Sequence, residues 1–409
     1  MRFFTRTGCP LREIVLINII GSDRPGLLAA ITGALAEDGV RILDIAQSLL
    51  HGAQSLAVVA SADDSARLAV LRERIQAVAG PQARFTALSE KDYLAWAQGG
   101  IDDRYVLTLM SREITAAQVQ SVTEIAVRHG LAIEAMDRLS GRPRLHAAAA
   151  QAKACVEFTA RGVPADIAAL RRDFLAAAML LDADIAIQHD DLYRRNRRLA
   201  VFDMDSTLIQ AEVIDELAKA HGVGHLVSEI TERAMRGELD FRASFKERMA
   251  LLQGLDVSVL DAIGASLRLT EGAEVLFAEL KRLGYKTAIL SGGFTYFAKQ
   301  VQAKLGIDYV FANELQVVDG KCTGVAVEPI VDAQRKADLL VELAEKEGLT
   351  LEQTIAVGDG ANDLPMLAKA GLGVAFRAKP LVKQSARHNI TTLGLDGVLY
   401  LLGVRDGQA

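Results

Sequence analysis

The run LAVFDMDSTLIQ, residues 199–210, opens on four apolar residues that read as a buried strand and ends that strand on two carboxylates, Asp203 and Asp205. Side chains two apart in extended backbone point the same way, so both acids are expected to face one site. In an open α/β sheet, ligands bind in the crevice at the carboxyl ends of the strands. Two acids there suit a hard cation, or a nucleophile with a partner acid/base. Taken alone, the run also fits a strand-to-helix turn in which Asp and Ser serve as caps.

Downstream, residues 212–270 carry helical periodicity and no convincing strand, which predicts a helical cap inserted after the first strand. Alternation of helix and strand then returns. Strands are expected at 286–290, 309–313, 354–357 and 373–376, with a hairpin around Asp319-Gly320. Ser291-Gly292-Gly293-Phe294 reads as a turn, and 332–347 as a helix. The sum is a doubly wound, Rossmann-like parallel sheet.

Its strand ends and nearby helices carry the groups that phosphoryl transfer needs, because that chemistry is mainly positioning and electrostatics. Asp203 is placed to attack phosphorus and form an aspartyl-phosphate, and Asp205 to protonate the leaving alkoxide and then activate water. Phosphate and carboxylate repel, so a cation must lie between them. Mg2+ takes oxygen ligands, here Asp203 and Asp359 with Asp363 beside them and the Asp205 carbonyl. The Ser291 hydroxyl, the Gly292 amide and the Lys336 charge suit phosphate oxygens. Each piece has a plainer reading alone: a common glycine turn, a solvated helix lysine, a loop around a helix cap.

The order DxDST, Ser-Gly, Lys, GDGxND resembles the haloacid dehalogenase superfamily. The stretches FDMDSTLIQAEVIDELA, AMRGELDFRASFKERMALLQGL, LSGGFTYF and AVGDGANDLPML resemble its phosphoserine phosphatase family, over about residues 199–402. The resemblance implies magnesium-dependent hydrolysis of O-phospho-L-serine, the last step of serine biosynthesis, with Asp203 as nucleophile and Asp205 as acid/base. It implies Asp203, Asp205 and Asp359 as metal ligands supported by Asp363, and Ser291, Gly292 and Lys336 as phosphate holders. Glu212 would meet the substrate ammonium and Arg248 its carboxylate, Met235 and Phe241 would line the cap, and Asn362 would help close the site. The residue types alone leave open transfer of the phosphoryl group to an alcohol, and an amino-acid sensor with a silent catalytic domain.

Upstream, the order of expected elements is βαββαβ, once over residues 14–88 and again over 105–189, the ferredoxin-like unit. IVLINIIGSDRPGLLAAITGALAEDGVRILDI resembles an ACT domain, a regulatory module that pairs with its like and binds small amino acids near its first turn. That turn, Gly21 to Gly26, offers helix N-terminal amides to a carboxylate and Asp23 to an ammonium; Asp23 as a simple helix cap remains the alternative. The second unit has Ser111-Arg112-Glu113-Ile114 in its place. The resemblance implies serine as feedback effector and a homodimer. The expected division is 1–95, 96–192 and 193–409, with Arg194-Arg195-Asn196-Arg197-Arg198 as a solvated linker or a brace between domains.

The chain has 409 residues, 50% hydrophobic, with a net charge of −6 and a pI near 5.8, so no basic footprint for nucleic acid is expected. Cys9, Cys155 and Cys322 are scattered and odd in number, the usage of a reducing cytoplasm. No stretch reads as a signal peptide or membrane span, so no membrane partner is expected.

Overall fold

The computed structural model describes residues 13–37, 39–63, 65–97, 104–143 and 152–407, and divides the chain into two compact units, Met1–Ile101 and Asp102–Ala409. Cys9 lies outside the described residues.

In the first unit, β1 (Glu13–Ser22), α1 (Leu27–Glu37), β2 (Arg41–Leu50), β3 (Ala53–Ala62), α2 (Ser65–Ala79) and β4 (Ala83–Leu88) build an antiparallel sheet of order β2-β3-β1-β4. Ile17 and Ile19 of β1, Leu56 and Val58 of β3, Ile31 of α1 and Ile75 of α2 are all buried, because the alternate residues of each central strand meet the apolar stripe of each helix. A short helix, α3 (Glu90–Ala97), comes next. The first turn differs from expectation. Gly21 and Ser22 still pair with Gln54 and Ala53 as strand, and α1 begins at Leu27. Asp23 therefore lies too far upstream to cap it; the residue is exposed, and its main-chain N–H donates to Gly52 O at 2.7 Å.

The second unit opens with the same topology. Strands β5 (Arg104–Ser111), β6 (Ala132–Arg138), β7 (Ala154–Arg161) and β8 (Asp184–His189) form a sheet of order β6-β7-β5-β8, backed by α4 (Ala116–Arg128) and α5 (Ile167–Leu180). Thr115 and Asp166 cap the helices, Asp166 accepting from Ala168 N and Ala169 N. This βαββαβ fold is docked on the C-terminal end of the chain. The Asp184 carboxylate accepts from the main chain of Thr391 and Thr392 at 2.9 and 2.8 Å, and Gln188 Nε2 donates to Leu401 O at 2.9 Å.

The basic run is part brace and part solvated: Arg195 and Arg198 are exposed, whereas Arg194 and Arg197 are buried. Arg194 is 1% exposed and ion-paired with Glu157 of β7, while Arg197 is 5% exposed and donates to Arg194 O. Burial pulls the Arg197 guanidinium down to about 10.

Beyond it lies a six-stranded parallel sheet of order β11-β10-β9-β14-β15-β16. Its strands are β9 (Leu199–Phe202), β10 (Lys286–Phe294), β11 (Tyr309–Asn313), β14 (Thr354–Gly358), β15 (Leu372–Phe376) and β16 (His388–Ile390). The hairpin β12 (Leu315–Val318) and β13 (Lys321–Ala326) stands apart from it. Strand order reverses about β9, so Phe202 pairs with Ile289 on one side and Val357 on the other. That is the switch point at which such sheets bind ligands.

Helices α6 (Val213–Ala220), α7 (Gly224–Met235), α8 (Phe241–Ala250) and α9 (Val259–Ser266) form the cap. Phe245, Met249 and Leu252 share their core with Phe294 and Phe297. Helices α10 (Ala273–Arg282), α11 (Thr295–Leu305), α12 (Ala333–Lys346), α13 (Leu364–Lys369), α14 (Pro380–Ser385) and α15 (Gly397–Leu401) flank the sheet or close the chain. Ser291 to Phe294 is strand and not a turn. The Asn313 amide of β11 donates to Gly292 O at 2.8 Å and keeps β10 extended across an irregularity after Leu290.

Candidate active site

Three adjacent strands deliver two acids and a serine. Asp203 follows β9, Ser291 continues β10, and Asp359 follows β14, so in-register pairing alone places them at one level. Asp203 N–H donates to Val357 O at 2.9 Å, which ties the start of the loop to the neighbouring strand.

Lys336 projects from the first turn of α12, whose N-cap Asp332 accepts from Arg335 N at 2.8 Å. Its ammonium is fully buried and donates to Asp203 Oδ1 at 2.6 Å and Asp363 Oδ1 at 2.8 Å. Burial opposes that charge, but the two carboxylates outweigh it and raise the lysine above its ordinary range. Asp363 also accepts from Gly360 N at 2.9 Å.

The carboxylates of Asp203, Asp359 and Asp363 are buried, and each offers an oxygen within 4.8 Å of the others. Hard oxygen donors so crowded, with one lysine among them, fit a hard divalent cation. Burial, then Asp363, pushes Asp359 up to about 6; burial likewise drives Asp203 well above the usual carboxylate range. Asp205 is not part of that cluster of carboxylates. Its Oδ1 accepts from Val213 N at 3.2 Å, at the start of the cap, and burial followed by the charge of Glu212 pushes it up to about 8. A carboxyl so placed keeps its proton near neutrality and is suited to give it away.

Glu212 is the residue before α6 and accepts from Ser206 Oγ at 2.8 Å. Arg248, on α8, is half-buried, and its Nε donates to Ser244 O at 3.4 Å; burial lowers its guanidinium while the charges of Glu212, Asp215 and Asp205 act to raise it. Phe241 covers the strand end: a Cβ on Gly292 would lie 2.9 Å from its ring. Asn362 folds over Gly360 and is half-buried. The side chain of Met235 lies outside the described residues.

Four residues were not singled out in the sequence. Thr207 Oγ1 donates to Asp359 Oδ1 at 3.1 Å. Asn313 ties the end of β10 to the approach to α12, donating to Gly292 O and accepting from Val331 N at 2.7 Å. Gly293 admits the Asp205 carboxylate, which a Cβ would meet at 2.4 Å, and Gly358 admits that of Asp363 at the same distance. Both glycines stood inside the quoted motifs; Gly358 meets an acid of its own loop, whereas Gly293 has its reason only in the approach of a carboxylate far upstream in the chain.

A family model of haloacid dehalogenase-like hydrolases matches residues 198–371, and an ACT domain model matches residues 13–80. The phosphoserine phosphatase of Streptomyces coelicolor is 39% identical over 95% of this chain and 92% of its own length. That of Mycobacterium tuberculosis is 36% identical over 98% of this chain and 95% of its own. The crystal structure of a probable phosphoserine phosphatase from Vibrio cholerae superimposes with a TM-score of 0.58 at 36% identity, covering 73% of this chain and 86% of that one. Sheet, cap and acidic cluster are thus those of a haloacid dehalogenase-type hydrolase carrying an ACT domain ahead of its catalytic core. Within that class, the chain belongs to the phosphoserine phosphatase family.

Proposed function

We propose that this chain hydrolyses O-phospho-L-serine to L-serine and phosphate in the cytoplasm, with Mg2+, through a phospho-Asp203 intermediate. The convergence of Asp203, Asp205, Lys336 and Ser291 at the strand ends, where the cap begins, carries this reading. Asp203 attacks phosphorus as the phosphorus–seryl oxygen bond breaks, and Asp205 gives its proton to that oxygen. Asp205 then takes a proton from water, whose oxygen displaces Asp203 from phosphorus. Lys336, Ser291 and the Gly292 amide hold the phosphate oxygens, and Asn362 helps close the site. Glu212 meets the substrate ammonium and Arg248 forks onto its carboxylate, with Phe241 excluding bulk water. Asp203, Asp359 and Asp363, with the Asp205 carbonyl, would hold Mg2+, which supplies charge neutralisation between nucleophile and phosphate.

Phosphate release from L-phosphoserine, phosphothreonine and an aryl phosphate tests the reading. Phosphoserine is expected to be preferred, and EDTA to lower turnover by on the order of 100-fold, restored by Mg2+. Preference for the aryl phosphate would overturn the substrate, and full activity in EDTA the metal.

The same reading assigns residues 1–95 and 96–192 a regulatory role, with serine bound at Gly21, Asp23 and Gly26. Two buried acceptors support this. Gln54 is 3% exposed, and neither its Oε1 nor Gln82 Oε1, which packs over Gly21, has a partner among the described residues. A ligand ammonium would satisfy such acceptors. The edge strand β2 exposes Ile42, Ile45 and Leu49, which supports pairing with a second copy. Calorimetric titration of the full chain with serine is expected to show binding that Asp23→Ala weakens about tenfold. Equal affinity in that variant would remove Asp23 from the site.

A further inference from the structure

The cap joins the core through two segments that pair with each other. Ile209 bridges Leu269, Gln210 N–H donates to Arg268 O at 3.0 Å, and Thr270 N–H donates to Leu208 O at 2.9 Å. Any swing of the cap must bend this two-stranded hinge. Its incoming side is fixed by Asp203 and Asp205 at the site. Its outgoing side ends at Glu271 and Gly272, the latter at φ +80°, where the chain turns into α10.

Glu271 is held from several directions. Its carbonyl accepts from Leu395 N at 2.8 Å. Its carboxylate accepts both terminal nitrogens of Arg112, each at 2.8 Å, and Arg377 Nη2 at 2.6 Å. The hydrogen bond from Arg112 contributes most to holding this carboxyl down at about 2. Arg112 does not come from the phosphatase core. It sits in the first strand-to-helix turn of the second βαββαβ fold, between Ser111 and the cap residue Thr115. The turn that faces outward in the first unit is here engaged by a carboxylate of the catalytic domain. A second cross-connection lands at the same place: Lys153, beside β7, pairs at 2.5 Å with Asp396, whose carboxylate packs against Gly272.

We propose that Arg112 and Glu271 are a positioning pair for catalysis. Through this fork the second βαββαβ fold fixes the outgoing strand of the cap hinge, and so sets how the cap settles over Asp203. A planar two-bond fork fixes orientation as well as distance, and a lysine supplies charge without that orientation. Hinge residues far from the chemistry change kcat and KM together when altered. The pair touches no substrate, so its effect must follow the cap. Phosphoserine, read by cap Arg248, must feel it; a small aryl phosphate, which lacks both groups that Arg248 and Glu212 read, must not.

The test compares Arg112→Ala, Arg112→Lys and Glu271→Gln with the unaltered full chain by steady-state kinetics and hydrogen exchange. Arg112→Ala and Glu271→Gln are expected to lower kcat/KM for phosphoserine at least about fivefold, with aryl phosphate hydrolysis within about twofold. Arg112→Lys recovers part of the loss. Peptides spanning 205–212 and 266–273 exchange faster in the first two variants, while β7 and β8 keep their protection. Unchanged hinge exchange, loss of protection in β7 and β8, or an equal fall for both substrates would overturn the pair's role. The kinetic arm rests on the phosphoserine reading, whereas the exchange arm does not. Absence of phosphoserine turnover in the unaltered chain would sink that reading and leave the hinge to be judged by exchange alone.

Discussion

Asp203→Asn is expected to abolish turnover of phosphoserine, by a factor on the order of 10⁴ to 10⁶, while the protein stays folded. The two halves of that expectation have separate physical causes. An amide oxygen is a far weaker nucleophile than a carboxylate, so no covalent intermediate forms, and the cluster loses one of the charges that would hold a cation. The fold is spared because Asn is isosteric and its Oδ1 still accepts from Lys336, which also keeps Asp363 at 2.8 Å. Electrostatics favours the variant in the absence of metal. Three carboxylates within 4.8 Å share one lysine, and neutralising one of them relieves their repulsion. The metal-free variant is therefore expected to melt no lower than the unaltered protein, and Mg2+ to raise its melting point less. Phosphate release and thermal melts with and without Mg2+ check both halves. Residual turnover above about a hundredth would remove Asp203 from the nucleophile's place.

The legible parts of this chain are those decided locally. LAVF is apolar on both faces because β9 lies in the centre of a parallel sheet, and a central strand needs no alternation. The acids at its end, the GDGxND loop and the lysine of QRKAD carry chemistry that a strand-end location explains, and the structure gathers them around one point. The features that local reading misses depend on partners far along the chain. Ser291-Gly292-Gly293 has the composition of a turn, yet Asn313, some 21 residues on, keeps it extended. Arg194 looks solvated until Glu157, 37 residues upstream, meets it in a buried pair. Asp23 has the right chemistry for a helix cap, but the strand before it runs two residues further and the helix begins later. Short closing elements such as β16 carry too few residues to show any period. Gly293 is the clearest instance at the site itself, since it is required by the Asp205 carboxylate, which only the fold brings to it.

Lys336 gives the second large effect, and here stability and catalysis fall together. Its ammonium is 0% exposed and is the cation bound directly to Asp203 and Asp363. Lys336→Met keeps most of the volume and removes the charge. Deleting one partner of a buried ion pair leaves the other uncompensated, at a cost of about 3–5 kcal/mol. In EDTA the variant is expected to lose stability of that order in urea unfolding. A divalent cation at Asp203, Asp359 and Asp363 would restore the missing positive charge, so Mg2+ should stabilise the variant more than the unaltered protein, by the binding linkage that favours the folded state. Activity would not return with stability. The lysine's own share in holding the phosphate is absent whatever the metal does, and loss of one preorganised donor lowers kcat by about 10²–10³. A variant as stable in EDTA as the unaltered chain would mean that the acids had simply taken up protons. The buried pair would then be a consequence of the fold, with no part in holding Asp203 charged for attack.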